Sequence, residues 1–221
     1  HHAHPPAPQR LCHRHLPRYD LTLRLDDDGR RFSLRETLSF TNTERTPMRE
    51  VVLRVYANAT RPSPAGSAAA RTTVIPPIRF VQGRCELVRC EVASESPSVI
   101  VLRLAAPLPP GGRLRAELSL EGSLDEIPAS RTNLLAQGME SLMSMGAAEG
   151  AGDYGLLSTG SGIVSFANFY PVLARREGVT FERTEQGGLG VIGSDDLAHV
   201  TATVDTPAGY SVASTGITTG V

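Results

Sequence analysis

The chain has one histidine with carboxylates close by in the sequence. Asp195 and Asp196 precede His199 by four and three residues. Imidazole and carboxylate groups bind zinc, but a catalytic zinc site needs about three protein ligands and an open position. The chain has no His-Glu-x-x-His element to supply them. We therefore predict that His199 is a surface residue of a strand, and we assign no catalytic and no metal-ligating residue.

Other patterns that could support chemistry lack the setting that the chemistry needs. Ser161 stands in Thr-Gly-Ser-Gly, without the strand, sharp turn and helix of a nucleophile elbow. Gly150 to Gly155 and Gly188 to Gly193 both match Gly-x-Gly-x-x-Gly, but no helical pattern follows either, so both are interpreted as loops. Histidines also cluster in residues 1–15, where nothing fixes a metal geometry.

Charge and hydropathy exclude several classes of function. The net charge is −1, and the 22 basic residues are all arginines spread along the chain, which does not favour nucleic-acid binding. The absence of lysine excludes Schiff-base catalysis and a P-loop. No apolar run reaches the roughly 18 residues of a membrane span. The segment is predicted to be soluble, and an exported or membrane-anchored parent stays open.

Three cysteines do not form a disulfide framework. Cys85 and Cys90 would lie on opposite faces of one strand, so a bridge between them needs a turn, which Leu87-Val88 could supply. We expect the reduced, buried form, with the strand running through from Cys85 to Val92.

Period-2 alternation predicts the strands that make up the fold. Tyr19 to Leu25 alternates cleanly, and Leu114 to Leu120 does the same. Phe32 to Phe40 alternates except for Glu36, which falls on the apolar face. Either a bulge shifts the phase there or Glu36 has a partner inside, and we expect the bulge. Val99 to Leu104 is nearly all apolar and is predicted to be a central strand covered on both faces.

These short strands, separated by turn signals, predict an all-β fold: an antiparallel β-sandwich or a saddle-like sheet. Leu134 to Met145 has a weak helical spacing and predicts at most a short helix near 134–145. Strands are expected to resume near Ile163, after a glycine-rich excursion. Residues 1–17, rich in His and Pro, are predicted to be flexible, and residues 18–221 to form a single β-domain.

Three patterns in the second half of the chain occur in one order. They are Phe169-Tyr170-Pro171, then Ser194-Asp195 before the strand His199 to Val204, and then a Pro-x-Gly-Tyr turn ending at Tyr210. Together with the Tyr19 to Leu25 strand and the Pro-Leu-Pro-Pro-Gly-Gly turn before Arg113, this order resembles the N-terminal β-domain of M1-family zinc metallopeptidases, the aminopeptidase type of hydrolase.

The resemblance implies a non-catalytic domain that walls the substrate cleft and packs on a catalytic domain downstream, absent from this chain. That domain would hold the zinc and act in proteolysis on a peptide substrate. Phe166, Asn168 and Tyr170 would share one face if their segment is extended, and they are the candidate residues for the domain interface. Pro171-Val-Leu-Ala departs from the usual continuation of the family, which suggests a divergent bacterial branch.

An alternative from another class is a free-standing β-sandwich adhesion or ligand-binding module. A sugar-binding module would present exposed aromatic rings, whereas this chain has no Trp and only 5% aromatic residues.

Overall fold

The computed structural model describes residues 15–59, 76–126, 157–184 and 197–220. Strand elements dominate these residues, and the one helix among them has four residues, far short of a membrane span. The elements are β1 (Arg18–Leu25), β2 (Arg31–Thr41), β3 (Met48–Arg54), α1 (Tyr56–Ala59), β4 (Ile78–Glu86), β5 (Cys90–Ser96), β6 (Val99–Leu108), β7 (Arg113–Ser123), β8 (Asp125–Glu126), β9 (Leu157–Gly160), β10 (Ile163–Phe166), β11 (Val172–Leu173), β12 (Arg176–Glu177), β13 (Thr180–Phe181) and β14 (His199–Asp205).

The all-β prediction is confirmed. The short helix predicted near 134–145 lies outside the described residues, and so do residues 1–14 of the segment 1–17 that was predicted to be flexible. Two strand pairs are parallel, β1 with β14 and β8 with β9, and every other pairing is antiparallel.

The larger sheet has five strands in the order β14-β1-β2-β7-β4. Alternate residues of β1, β2 and β7 are buried, so one face of this sheet forms the core and the other faces solvent. The core face carries leucines and aromatic rings, and the solvent face carries arginine, glutamate, serine and threonine. The regular alternation in the sequence therefore predicted these strands correctly.

A second sheet of four strands, in the order β11-β3-β6-β5, supplies the other side of the core. In β6 the run from Val99 to Leu102 is buried throughout, and β6 lies between β3 and β5. The prediction of a central strand covered on both faces is confirmed. Residues 174–184 continue past β11, and Ala174 and Phe181 are buried.

Arginine side chains hold this later segment against the second sheet. Arg183 forms ion pairs with Glu50 and Glu95, on β3 and β5. Arg54 donates a hydrogen bond of 2.9 Å to the backbone oxygen of Thr184. These contacts bring residues 176–184 over strands that are more than 80 residues distant in the sequence.

The bulge expected at Glu36 is absent. β2 keeps one register with β1 from Arg18↔Ser39 to Leu25↔Phe32, and one register with β7 along its whole length. Glu36 pairs with Leu21 on one side and with Leu118 on the other, and it is fully buried. The prediction was wrong because an unbroken alternation places Glu36 on the core face in spite of its charge.

The prediction of one continuous strand from Cys85 to Val92 is also wrong. β4 ends at Glu86, Leu87 adopts a positive φ of 72°, and β5 begins at Cys90 in the other sheet. This corner brings Cys85 and Cys90 together in a disulfide, with 5.7 Å between their Cα atoms. The expectation of reduced cysteines is corrected, because the turn at Leu87 places both side chains on the same side.

Strands resume earlier than predicted, at Leu157 instead of near Ile163. Gly160 pairs with Ile163, which leaves Ser161 and Gly162 as a two-residue turn with φ of 50° and 78°. Positive φ at both turn positions is the type I′ geometry that suits a tight hairpin. Ser161 therefore has a structural place in the β9–β10 turn. Earlier in the chain, β3 ends at Arg54 and α1 begins at Tyr56.

We predict that the disulfide stabilises the sheet-to-sheet corner. Replacing both Cys85 and Cys90 by Ala should lower the free energy of unfolding by about 2 kcal/mol, as expected for removing the cross-link of so short a loop. Urea unfolding of the two proteins measures this difference. Alkylation before and after reduction provides the control: one thiol, that of Cys12, should react without reductant and three with it. Three reactive thiols in the unreduced protein would contradict the bridge.

Candidate domain-docking site

The aromatic segment singled out in the sequence packs on the core face of the larger sheet. It leaves the β9–β10 hairpin at Phe166 and leads into β11, which pairs with β3 through Val172↔Arg54 and Leu173↔Leu53. The backbone N–H of Leu173 donates to the hydroxyl oxygen of Tyr19 at 3.0 Å. This hydrogen bond joins the end of the segment to β1.

Five rings follow one another along this segment, and we call them the aromatic chain: Phe32, Phe166, Phe169, Tyr170 and Tyr19. Neighbouring ring centroids are 5.1, 5.7, 5.2 and 5.6 Å apart, and every pair is edge-to-face. Such pairs contribute about 0.5–1.5 kcal/mol each beyond the area that they bury. The aromatic chain thus connects the start of β2 to the start of β1.

A glycine makes room for the first ring of the aromatic chain. Gly122 lies opposite Phe32 on β7, and a Cβ atom at Gly122 would lie 2.2 Å or less from two ring atoms of Phe32. A glycine in a strand interior often marks such a close approach. Any larger residue at this position would displace the ring that Phe166 contacts.

The interface candidates Phe166, Asn168 and Tyr170 are all half-buried. Their segment is not extended, because Asn168 has a positive φ of 50°. Phe166 and Tyr170 contact core rings on one side and keep part of their surface open to solvent. The predicted extended segment, in which the three side chains would share one face, is therefore wrong, because the chain turns at Asn168. All three residues remain partly exposed.

An uncovered apolar strip lies next to the aromatic chain. Val200, Ala202 and Val204 of β14, which we call the β14 strip, pair with Tyr19, Leu21 and Leu23 of β1. Paired residues point to the same face of a sheet, so the β14 strip belongs to the core face. Yet Val200 and Val204 are 48% and 37% exposed, whereas Tyr19 and Leu23 are 3% and 2% exposed. Among the described residues, the core ends at β1.

The other face of β14 is polar. His199, Thr201, Thr203 and Asp205 point to solvent, and Asp205 lies 3.8 Å from Arg24. His199 is exposed, as predicted, and Asp195 and Asp196 lie outside the described residues. Within the described ranges, no group of three or more histidine, cysteine or carboxylate residues is placed to hold a metal ion. Nothing in the described residues fits a zinc site.

A shallow cleft of about 370 Å³ lies on the solvent face of the larger sheet. It is lined by Arg35, Gln82, Gly83, Arg84, Glu117 and Ser119. Arg84 and Glu117 are paired at 2.6 Å, and the guanidinium group of Arg84 lowers the pKa of Glu117 by hydrogen bonding. None of the six lining residues is aromatic, so the cleft lacks the stacking rings expected of a sugar-binding module.

Comparisons with known proteins find similar solved structures but no matching family. No protein-family model matches the chain, and no curated protein matches it. Among solved structures, the M1 zinc metallopeptidase from Deinococcus radiodurans is similar at 19% identity and a TM-score of 0.35, over 50% of this chain and 20% of that one.

A mutant of the Deinococcus radiodurans enzyme is similar at 20% identity and a TM-score of 0.35, over 50% of this chain and 21% of its own. A two-domain M1 zinc metallopeptidase mutant bound to L-tryptophan gives 19% and 0.34 over the same shares. The chain therefore spans about a fifth of the length of these structures. The similarities are structural, cover half of this chain, and do not assign it to a family.

We predict that the inner rings of the aromatic chain stabilise the fold. Phe169 contacts two other rings and is half-buried, so Phe169→Ala should cost about 2–3 kcal/mol, somewhat less than for a fully buried ring. The control is Val212→Ala, since Val212 is 58% exposed. Urea unfolding measures both changes, and equal losses would contradict a stabilising role for the ring.

Proposed function

We propose that this chain is the non-catalytic N-terminal β-domain of an M1-like zinc metallopeptidase, and that it packs on a catalytic domain encoded downstream. The observation that carries the proposal is the β14 strip. Within the described part of the chain, β14 lacks a second layer over its core face, and Val200 and Val204 remain exposed. Apolar surface of this kind in one contiguous strip marks a contact site for another domain.

The β14 strip and the aromatic segment both adjoin Tyr19 of β1. Tyr19 pairs with Val200 on one side, and its ring contacts Tyr170 on the other. We infer that a partner covering Val200 also reaches the exposed part of Tyr170 and the neighbouring Asn168. We propose that these residues, with Phe166, contact the catalytic domain.

The order of sequence patterns around Pro171 and Tyr210 supplies the identity of the partner. In this proposal the downstream domain binds the zinc and cleaves the peptide substrate, and this chain contributes a wall of the cleft through its shape. No step of the reaction is assigned to a residue of this chain. The departure at Pro171-Val-Leu-Ala supports a divergent, bacterial member of the family.

The reading frame that encodes the chain gives the first test. We expect the sequence that follows Val221 to contain a His-Glu-x-x-His element. The longer protein should retain one zinc ion after dialysis and hydrolyse aminoacyl substrates, whereas the 221-residue chain should do neither. A reading frame without that element, or a zinc ion retained by the 221-residue chain alone, would contradict the proposal.

The docking surface is tested by a pair of substitutions on one strand. Val204→Asp places a charge in the β14 strip, and Thr203→Asp places the same charge on the solvent face one residue earlier. Burying an unpaired charge is costly, so Val204→Asp should weaken binding to the separately produced downstream domain by tenfold or more. Thr203→Asp should change it by less than about threefold. Titration calorimetry measures both, and equal affinities for the two variants would show that the β14 strip is not the docking surface.

A further inference from the structure

Glu36 is the charged side chain most deeply buried in the described core. It lies in the middle of β2, with no exposed surface, between Leu21 on β1 and Leu118 on β7. Neither of its carboxyl oxygens has a hydrogen-bond partner among the described residues. A buried carboxylate without a partner is unfavourable, and such a group usually keeps its proton instead.

Asn42, the residue that follows the end of the same strand, is a buried polar group with hydrogen-bond partners. Its side-chain amide donates to the backbone oxygens of Thr46 and Leu108, and its oxygen accepts from the N–H of Glu44. Asn42 is fully buried and satisfied, whereas Glu36 is fully buried and unsatisfied. Unlike Asn42, Glu36 gains no hydrogen bond from the described residues that would offset the cost of burying its carboxyl group.

The groups that face Glu36 carry no positive charge in the described part of the chain. On β1 the same face carries Tyr19, Leu21 and Leu23, and on β7 it carries Ala116, Leu118 and Leu120. The core sides of β3, β6 and β11 carry Val51, Leu53, Ile100, Leu102 and Leu173. Arg31 and Arg35 of β2 itself point to the solvent face.

The titratable groups near Glu36 are thus two tyrosines. The hydroxyl oxygen of Tyr19 already accepts the N–H of Leu173. Tyr170 lies close enough for a charge on Glu36 to raise the pKa of the Tyr170 hydroxyl, an effect second only to burial. Burial alone raises the pKa of Glu36 well above its ordinary value.

We propose that Glu36 is a proton-dependent switch beneath the aromatic chain: the segment from Phe166 to Tyr170 packs over it while the carboxyl group is neutral, and loosens when the group loses its proton. The observations behind this are a carboxyl group with no exposed surface and no hydrogen-bond partner among the described residues, and two rings of the covering segment that contact core rings on the same two strands: Phe166 contacts Phe32 of β2, and Tyr170 contacts Tyr19 of β1. An ionised Glu36 must be hydrated, and water reaches it only if the covering segment moves.

The direction of the pH dependence follows from linkage. A carboxyl group whose pKa is raised in the folded state binds more protons there than in the unfolded chain. Its stabilising effect is complete below the unfolded pKa, near 4.5, and is lost as the pH rises towards the folded pKa. Within that window the unfolding constant should increase by up to tenfold for each pH unit, because one proton is released on unfolding.

Two substitutions at Glu36 and one control test the switch in the full 221-residue chain. Glu36→Gln removes the titration and keeps the shape, and Glu36→Leu also removes the unpartnered polar group. In both variants the unfolding constant should no longer rise with pH between pH 5 and pH 8, as measured by urea unfolding. Both should match the wild-type pH dependence below pH 4, where Glu36 is neutral in either state. Glu91→Gln, a change at an exposed glutamate, should leave the wild-type profile as it is.

Hydrogen exchange gives a local reading that a merely structural role would not change. After correction for the intrinsic tenfold rise per pH unit, the amides of residues 166–170 should exchange faster as the pH rises in the wild type but not in Glu36→Leu. Carbon-13 titration of the Glu36 carboxyl group gives a direct reading and needs no variant. A Glu36 carboxyl that titrates near pH 4, or exchange profiles that coincide for wild type and Glu36→Leu, would overturn the proposal.

Discussion

The structure depends on covering the apolar face of the five-stranded sheet. That face is broad, because β1, β2 and β7 all carry buried residues at alternate positions. The four-stranded sheet and the aromatic chain together cover it as far as β1, where Tyr19 contacts both Tyr170 and the backbone of Leu173. The need to cover this face explains the order of elements after residue 156. The segment from β9 to β11 brings its rings against Tyr19 of β1 and Phe32 of β2.

Much of this could be predicted from local pattern. The alternation in β1 and β7 and the continuous apolar run in β6 are properties of neighbouring residues, so the sequence alone predicts both the strands and their degree of burial. The partner of β14 could not be predicted in that way. His199 to Asp205 alternates like any strand, but its parallel pairing with β1 joins residues some 180 positions apart, and no local signal specifies it.

The wrong predictions at Glu36 and at Cys85 to Val92 have different physical causes. At Glu36 the sequence pattern allows a bulge or a buried charge, and only the unbroken register with both neighbours decides between them. At the corner between β4 and β5, Leu87 adopts a left-handed conformation that is rare for a bulky residue. The residue type therefore does not predict a turn there. The aromatic segment was found from its composition, but its path was not, because Asn168 turns the chain.

Glu36 and the β14 strip are opposite exceptions to the rule that apolar groups are buried and charged groups exposed. The register places them in one row, since Ala202 pairs with Leu21 and Leu21 pairs with Glu36. Strands are about 4.8 Å apart, so Glu36 lies roughly 10 Å from the β14 strip. A domain that docked on the strip would press on the same aromatic segment that has to move for Glu36 to ionise. Docking and protonation of Glu36 would therefore favour the same closed arrangement, and each should strengthen the other by the same factor.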